Sequence, residues 1–228
     1  MGLFDFLKKG EPAQKPLVVS GPYKDAALNH VYQLLFCDQP ALFGGTEQPP
    51  YQYPFDILLS AKPGEQDLIR IVNDPAAEPR TKLLAFHLLR TSGKQPAQKI
   101  LLGVVVEVGL EAGLDVLASY SNGTARYINQ AEKLIIWENT EDERVSELTQ
   151  RLFEQSQQIV SQIGPWDKPR RPHPPRNNLR ISFLVSDGLY FGEGGMNALF
   201  SDPMAAPALH TATELMQYIT AKSLERND

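Results

Sequence analysis

The sequence predicts an α+β fold in which an antiparallel sheet of about four to five strands, a meander plus a C-terminal hairpin, packs against several helices. Three observations carry this expectation. From Lys99 to Glu138 apolar residues recur at period two, broken by turn signals of which Asn122-Gly123 is the sharpest; both residues tolerate positive φ, as a two-residue type I′ loop requires. Leu179 to Ser186 alternates in the same way and ends in Asp187-Gly188. Elsewhere apolar residues return at helical spacing, which gives a helix one stripe to bury.

The chain divides into a short amphipathic N-terminal segment and linker over residues 1–20 and a single α+β domain over residues 21–228. Leu3, Phe4, Phe6 and Leu7 precede Lys8 and Lys9, so residues 1–9 suit a membrane surface or a partner groove. Gly10 and Pro12 stop that helix after about two turns, too short to be stable alone, and a docked or frayed terminus is the expectation.

Pro22 can open a helix running to about Cys37, with Leu28, Val31 and Leu35 on one stripe, and Asp38-Gln39-Pro40 ends it. Residues 41–53, rich in Gly, Pro and aromatics, read as an ordered loop, and residues 55–61 fit either helix or strand. Glu65 to Asn73 and Glu78 to Thr91 form a helical hairpin around Asp74-Pro75.

In the first strand Ile100, Leu102, Val104, Val106 and Val108 share a core face, opposite Lys99, Leu101, Gly103, Val105 and Glu107. With Asn122 and Gly123 as the two loop residues, Tyr120 pairs with Ala125, Ser119 with Arg126 and Ala118 with Tyr127. A third strand, Lys133 to Glu138, then sets Leu134 and Ile136 beside Tyr127 and Ala125. This register gathers Ser119, Thr124, Arg126 and Trp137 on a mixed second face, open to solvent or covered by a loop.

Thr140 and Glu143 have capping-box spacing before Val145, Leu148, Leu152, Phe153, Ile159 and Ile163, which predicts the longest helix, packed on the Ile100 face. Trp166 to Arg180 interleaves Lys168, Arg170, Arg171, Arg176 and Arg180 with prolines, an extended path that holds cations outward. After the strand Leu179 to Val185 come a short return, Leu189 to Phe191, a glycine loop at Gly192, Gly194 and Gly195, and a final helix from about Ala208 to Ser223.

A net charge of −5 and a pI near 5.4 argue against a surface built throughout for nucleic acid. One cysteine, Cys37, excludes an internal disulfide and reads as a buried thiol. No apolar run approaches the ~20 residues that span a bilayer, and the chain reads as cytoplasmic. His30, His87, His173 and His210 are too dispersed to suggest a metal site, and no cofactor is expected. The carboxylates Glu107, Glu111 and Asp115 read as exposed charges near a hairpin loop.

The function this predicts is that of a non-catalytic accessory protein engaging a protein partner. Its contacts are Ser119, Arg126, Tyr127 and Trp137 on the sheet face and Arg170, Arg171 and Arg176 on the basic Pro-rich loop. Two alternatives are a hydrolase or transferase with a site between the Gly192–Gly195 loop and His210, and a nucleic-acid binder using the basic loop.

Overall fold

The sheet has six antiparallel strands in the order β4-β3-β2-β1-β5-β6, and helices cover both of its faces. The structure, a computed structural model, describes residues 21–45 and 50–225; the amphipathic segment at residues 1–9 lies outside the described residues. The strands are β1 (Leu101–Gly109), β2 (Leu114–Tyr120), β3 (Ala125–Ile128), β4 (Leu134–Trp137), β5 (Asn178–Val185) and β6 (Gly188–Gly195). The helices are α1 (Ala26–Leu34), α2 (Pro40–Phe43), α3 (Phe55–Leu58), α4 (Glu65–Asn73), α5 (Pro79–Thr91), α6 (Glu143–Gln162), α7 (Met196–Ser201) and α8 (Ala206–Glu225). The α+β class and the antiparallel sheet agree with the sequence, with one strand more than expected.

One face carries α1 to α5, whose apolar residues meet Leu102, Val105, Val116, Ala118, Tyr120 and Ile128. The other carries α6 and α8, which meet Val104, Val106, Leu117, Tyr127, Ile181 and Phe183. The α6 face, with Val104 and Val106, is the core the sequence predicted; the opposite face, with Val105 and Glu107, is covered by α1 to α5 where the sequence predicted a mixed surface open to solvent or covered by a loop. Sequence alternation inside β1 is broken by a bulge: Leu101 pairs with Val185 and Gly103 with Leu184, so Leu102 is extra. One extra residue reverses the parity of side chains. Leu102 accordingly joins the α1–α5 core while Leu101, Val104 and Val106 join the other, and Ile100 precedes the strand at 40% exposure.

The predicted meander is present with its register shifted by one. Ser119 pairs with Ala125, Ala118 with Arg126 and Leu117 with Tyr127. The loop has three residues: Gly123 N–H donates to Tyr120 O (2.9 Å) and Tyr120 N–H to Thr124 O (2.9 Å), with Gly123 at φ +85°. This is a turn closed by a left-handed residue and a bulge, the next commonest solution after the two-residue loop. The β3–β4 loop repeats it, with Glu132 N–H on Asn129 O, Asn129 N–H on Lys133 O and Glu132 at φ +61°. Its carboxylate accepts from Lys24 and Asp25 N–H (2.8 and 3.3 Å), which ties this loop to the chain just ahead of α1. β4 is shifted likewise, Tyr127 facing Ile135 and Ala125 facing Trp137.

The N-cap of α6 is Asp142, whose carboxylate accepts from Val145 N–H (3.0 Å), in place of the predicted Thr140. α6 and α8 are equally long, 20 residues each. The predicted glycine loop at Gly192, Gly194 and Gly195 is strand β6, and Leu199 of α7 packs on the bare Cα of Gly194.

Gly123 and Gly109 separate two ways in which a glycine can be required. A Cβ at Gly123 would meet nothing within 4 Å, so Gly123→Ala should lose only the left-handed backbone preference, about 1–2 kcal/mol in urea denaturation. A Cβ at Gly109 would lie 2.2 Å from Pro175 O, so Gly109→Ala should cost more and increase proteolysis between Trp166 and Asn177.

Candidate functional site

Proline spacing keeps the chain from Trp166 to Asn177 free of helix and sheet, and it runs as a strap over the α1-side face. Trp166 N–H donates to Leu189 O on β6 (2.7 Å) at one end, and Asn177 N–H to Gly109 O on β1 (2.8 Å) at the other. Because Gly109 lacks a Cβ, the Pro174 and Pro175 carbonyls can lie directly on β1.

Beneath the strap Glu107, Arg180 and Glu193 stand side by side on β1, β5 and β6. Glu107 is fully buried and the Arg180 side chain is 3% exposed. Arg180 Nε donates to Glu193 Oε2 (2.8 Å), with Nη2 at 2.7 Å from the same oxygen, and Nη1 donates to Glu107 Oε2 (3.4 Å). The remaining donors reach the strap backbone, Nη1 to Arg171 O (3.2 Å) and Nη2 to Pro172 O. The guanidinium thus makes four hydrogen bonds, and Nη2 also lies in ion-pair contact with Glu193. Tyr32 OH on α1 donates to the other oxygen of Glu107 (2.7 Å). Burial pushes the Glu107 carboxyl above its ordinary value, against the opposing pull of Arg180 and the Tyr32 hydrogen bond. The same burial, with Glu107 alongside, pushes the Tyr32 phenol up.

Between the strap, the C-terminal end of α1, α5 and the β5–β6 turn lies a cleft of about 850 Å³. Arg170 forms its floor: Nε meets Asp38 Oδ2 at 2.9 Å, the guanidinium reaches Gln33, and its carbon lies 3.9 Å from the Phe36 ring centre. Arg90 donates to Ser186 O in the β5–β6 turn. Burial, then the neighbouring Arg90 charge, lowers the His87 pKa and so favours the neutral imidazole. The rim is the strap itself. Trp166 stacks edge-on to Phe191 at 5.1 Å and carries Lys168 Nζ 5.5 Å from its ring, while Arg171 and His173 are exposed.

The predicted sheet-face contacts do not form a surface. Ser119 is buried on the α6 side. Tyr127 is buried there too, its OH donating to Asp115 (2.7 Å), and Trp137 packs edge-on against Tyr218 with Nε1 on Asn139 O. Arg126 points to the opposite face, where it donates to Ala125 O, Trp137 O and Glu138. The one-residue register shift accounts for this separation. Arg170, Arg171 and Arg176 do not make one band either: Arg170 is folded inward, Arg171 approaches Glu193 (3.6 Å), and Arg176 pairs with Glu111 at the β1–β2 loop (3.1 Å).

His210 is exposed on α8, its ring 5.4 Å from Phe200. Cys37 is buried, which pushes its thiol up to about 12. Among the described residues no group of three or more His, Cys, Asp or Glu is placed to hold a metal ion, and no helix is long and apolar enough to cross a membrane. Sequence reasoning placed Glu107 among exposed loop charges and Arg180 among outward cations, and both are buried because β1 and β5 pair them face to face; it did not single out Glu193 or Arg90. A signal for Glu107 existed in its position inside the apolar run Val104 to Val108. No family model, no curated protein and no solved structure matches this chain.

Two substitutions probe the ladder in opposite directions. Arg180→Met leaves the fully buried Glu107 carboxylate without its cation, and the loss of stability in denaturant should be about 3–5 kcal/mol. Glu107→Gln keeps an acceptor for Tyr32 and leaves Arg180 paired with Glu193, so the loss should be smaller. A carboxyl whose folded pKa is raised contributes stability that is complete below the unfolded value and is lost as pH rises through the folded value. Wild-type stability should thus carry a falling component above pH 4.5 that Glu107→Gln lacks, measured as urea midpoints against pH.

Proposed function

We propose that this protein is a non-catalytic accessory protein that binds a protein partner along the strap-lined cleft, with Trp166, Lys168 and Arg171 as its principal contacts. The observation that carries this reading is the division of labour within the strap. Its inward groups, Arg170 and Pro174, anchor it. Arg180 holds its backbone from below. Its outward groups combine one aromatic and two cations on an extended, fixed path.

Trp and Arg are the side chains that most often dominate binding energy, and a preordered segment loses little entropy on association. Among the described residues Lys168 has no carboxylate partner, and Arg171 is half-exposed with only a 3.6 Å contact to Glu193. An acidic, partly apolar polypeptide segment fits this rim. The charged groups deeper in the cleft support binding over turnover because they are engaged in structural contacts: Arg170 with Asp38, Arg90 with Ser186 O, and Asp187 with Tyr190 OH (2.8 Å).

A photo-crosslinker at His173 should give a discrete covalent complex in cells, whereas one at the exposed Gln150 of α6 should not. Lys168→Glu with Arg171→Glu should weaken the purified complex by at least about tenfold, roughly 1.4 kcal/mol, with added salt acting in the same direction. A partner that crosslinks equally at both positions, or binds the double variant as tightly as the wild type, would show that the cleft is not the contact.

A further inference from the structure

The outer edge of β6 beyond Trp166 is an unpaired edge of the sheet. β5 and β6 are joined by the two-residue loop Ser186-Asp187, so Val185–Gly188, Phe183–Tyr190 and Ile181–Gly192 exchange hydrogen bonds within the hairpin. The N–H and C=O of Leu189, Phe191 and Glu193 therefore point away from β5. The Trp166 N–H on Leu189 O confirms this orientation and shows the edge already accepting added backbone. Among the described residues no backbone group meets Phe191 or Glu193 on that side.

Exposed edges are normally protected by shortness, lysine, proline or a bulge. The opposite edge, β4, is only four residues long and directly follows Lys133. β6 has eight residues, no lysine and no proline. Its one charged side chain, Glu193, is held by Arg180, which leaves an edge with no free charge to repel its own copy. Half-buried apolar groups flank it on both faces, Phe191 with Trp166 on one and Leu199 and Phe200 on the other. Pairing would cover these groups as well as the backbone, adding area toward what a specific interface needs.

We propose that two copies of the chain pair antiparallel through β6, with the two-fold axis at Gly192, to form one continuous sheet. In this register Phe191 exchanges both backbone hydrogen bonds with Glu193 of the second copy, and the symmetric pair does the same. A register centred on Glu193 would set two carboxylates directly opposite, which is destabilising. One centred on Phe191 would set Glu193 of the second copy against the Leu189 carbonyl that Trp166 already occupies, whereas about Gly192 only the strand-end Gly195 falls opposite Leu189 and pairing runs from Tyr190 to Gly194. At the axis Gly192 faces its own copy in a non-hydrogen-bonded pair, where Cα atoms approach to about 4.5 Å.

That separation lies within disulfide range, and a Cβ at Gly192 would meet only Ile181 Cγ2 at 3.9 Å. Under mild oxidation Gly192→Cys should give a disulfide-linked dimer on non-reducing gels, and Ser201→Cys on the exposed end of α7 should not. Sedimentation of the wild-type full chain should show a species of twice the 25.4 kDa chain mass. Phe191→Pro removes an outward N–H without touching the β5 ladder, and Phe191→Lys adds an edge charge. Each variant, verified as folded by circular dichroism, should weaken dimerisation at least about tenfold. A wild-type monomer without Gly192→Cys crosslinking, or a dimer unchanged in both Phe191 variants, would overturn the proposal. The cleft reading is tested separately by Lys168→Glu alone, because among the described residues Lys168 approaches Trp166 and no residue of β6.

Discussion

Arg180 is the residue on which the arrangement depends. Burying a guanidinium and a carboxylate is costly, and mutual attraction offsets that cost only where further hydrogen bonds support the pair. Here they do, because three adjacent strands deliver Glu107, Arg180 and Glu193 to one row, and because strap carbonyls supply further acceptors. The row also acts as a register lock. A one-residue slip of β5 would turn Arg180 into the α6–α8 core and leave Glu107 with Tyr32 alone. A packed apolar row would give stability as readily, but it would distinguish neighbouring registers less sharply.

Both sheet faces are covered, which explains a sequence that alternates poorly where it matters. β1 is buried along nearly its whole length, as Leu101 to Val106 show. Strands buried on two sides read as continuous apolar runs and lose the period-two signal that reports one wet face. The existence of β1, β2, β3 and β5 was legible because turn chemistry delimits them, and α4, α5 and α6 were legible from their stripes. The register was not. Asn122-Gly123 marks a turn, but whether the loop has two residues or three depends on whether Asn122 itself adopts positive φ, and only Gly123 does. The same ambiguity recurs at Glu132, where nothing in the residue type announces a left-handed conformation.

The candidate site was legible in part, for a related reason. The basic, proline-rich composition of 166–180 correctly singled out an unusual extended segment. That most of its charge is spent within the fold was hidden, because its acidic partners are remote in the chain: Arg170 and Asp38 are 132 residues apart. The β1–β5 pairing, which brings Glu107 to Arg180 across 73 residues, has the same character. Local pattern cannot specify a contact of that range, although a lone glutamate among four valines announces a buried charge that needs an answer.

The strap joins the two surfaces considered above. Leaving α6 on one side of the sheet, the chain passes round the β6 edge at Leu189, and Trp166 there bonds the edge backbone while its ring packs on Phe191. Beyond that point it lies on the opposite face, where Arg170, Lys168 and Arg171 shape the cleft. Trp166 thus terminates the free length of the edge and begins the rim. Any movement of the strap that opened the cleft would alter how much of β6 is exposed, and Arg180, which binds both the strap carbonyls and the β6 carboxylate, opposes such movement from beneath. The rigidity of one buried guanidinium therefore sets the shape of both surfaces.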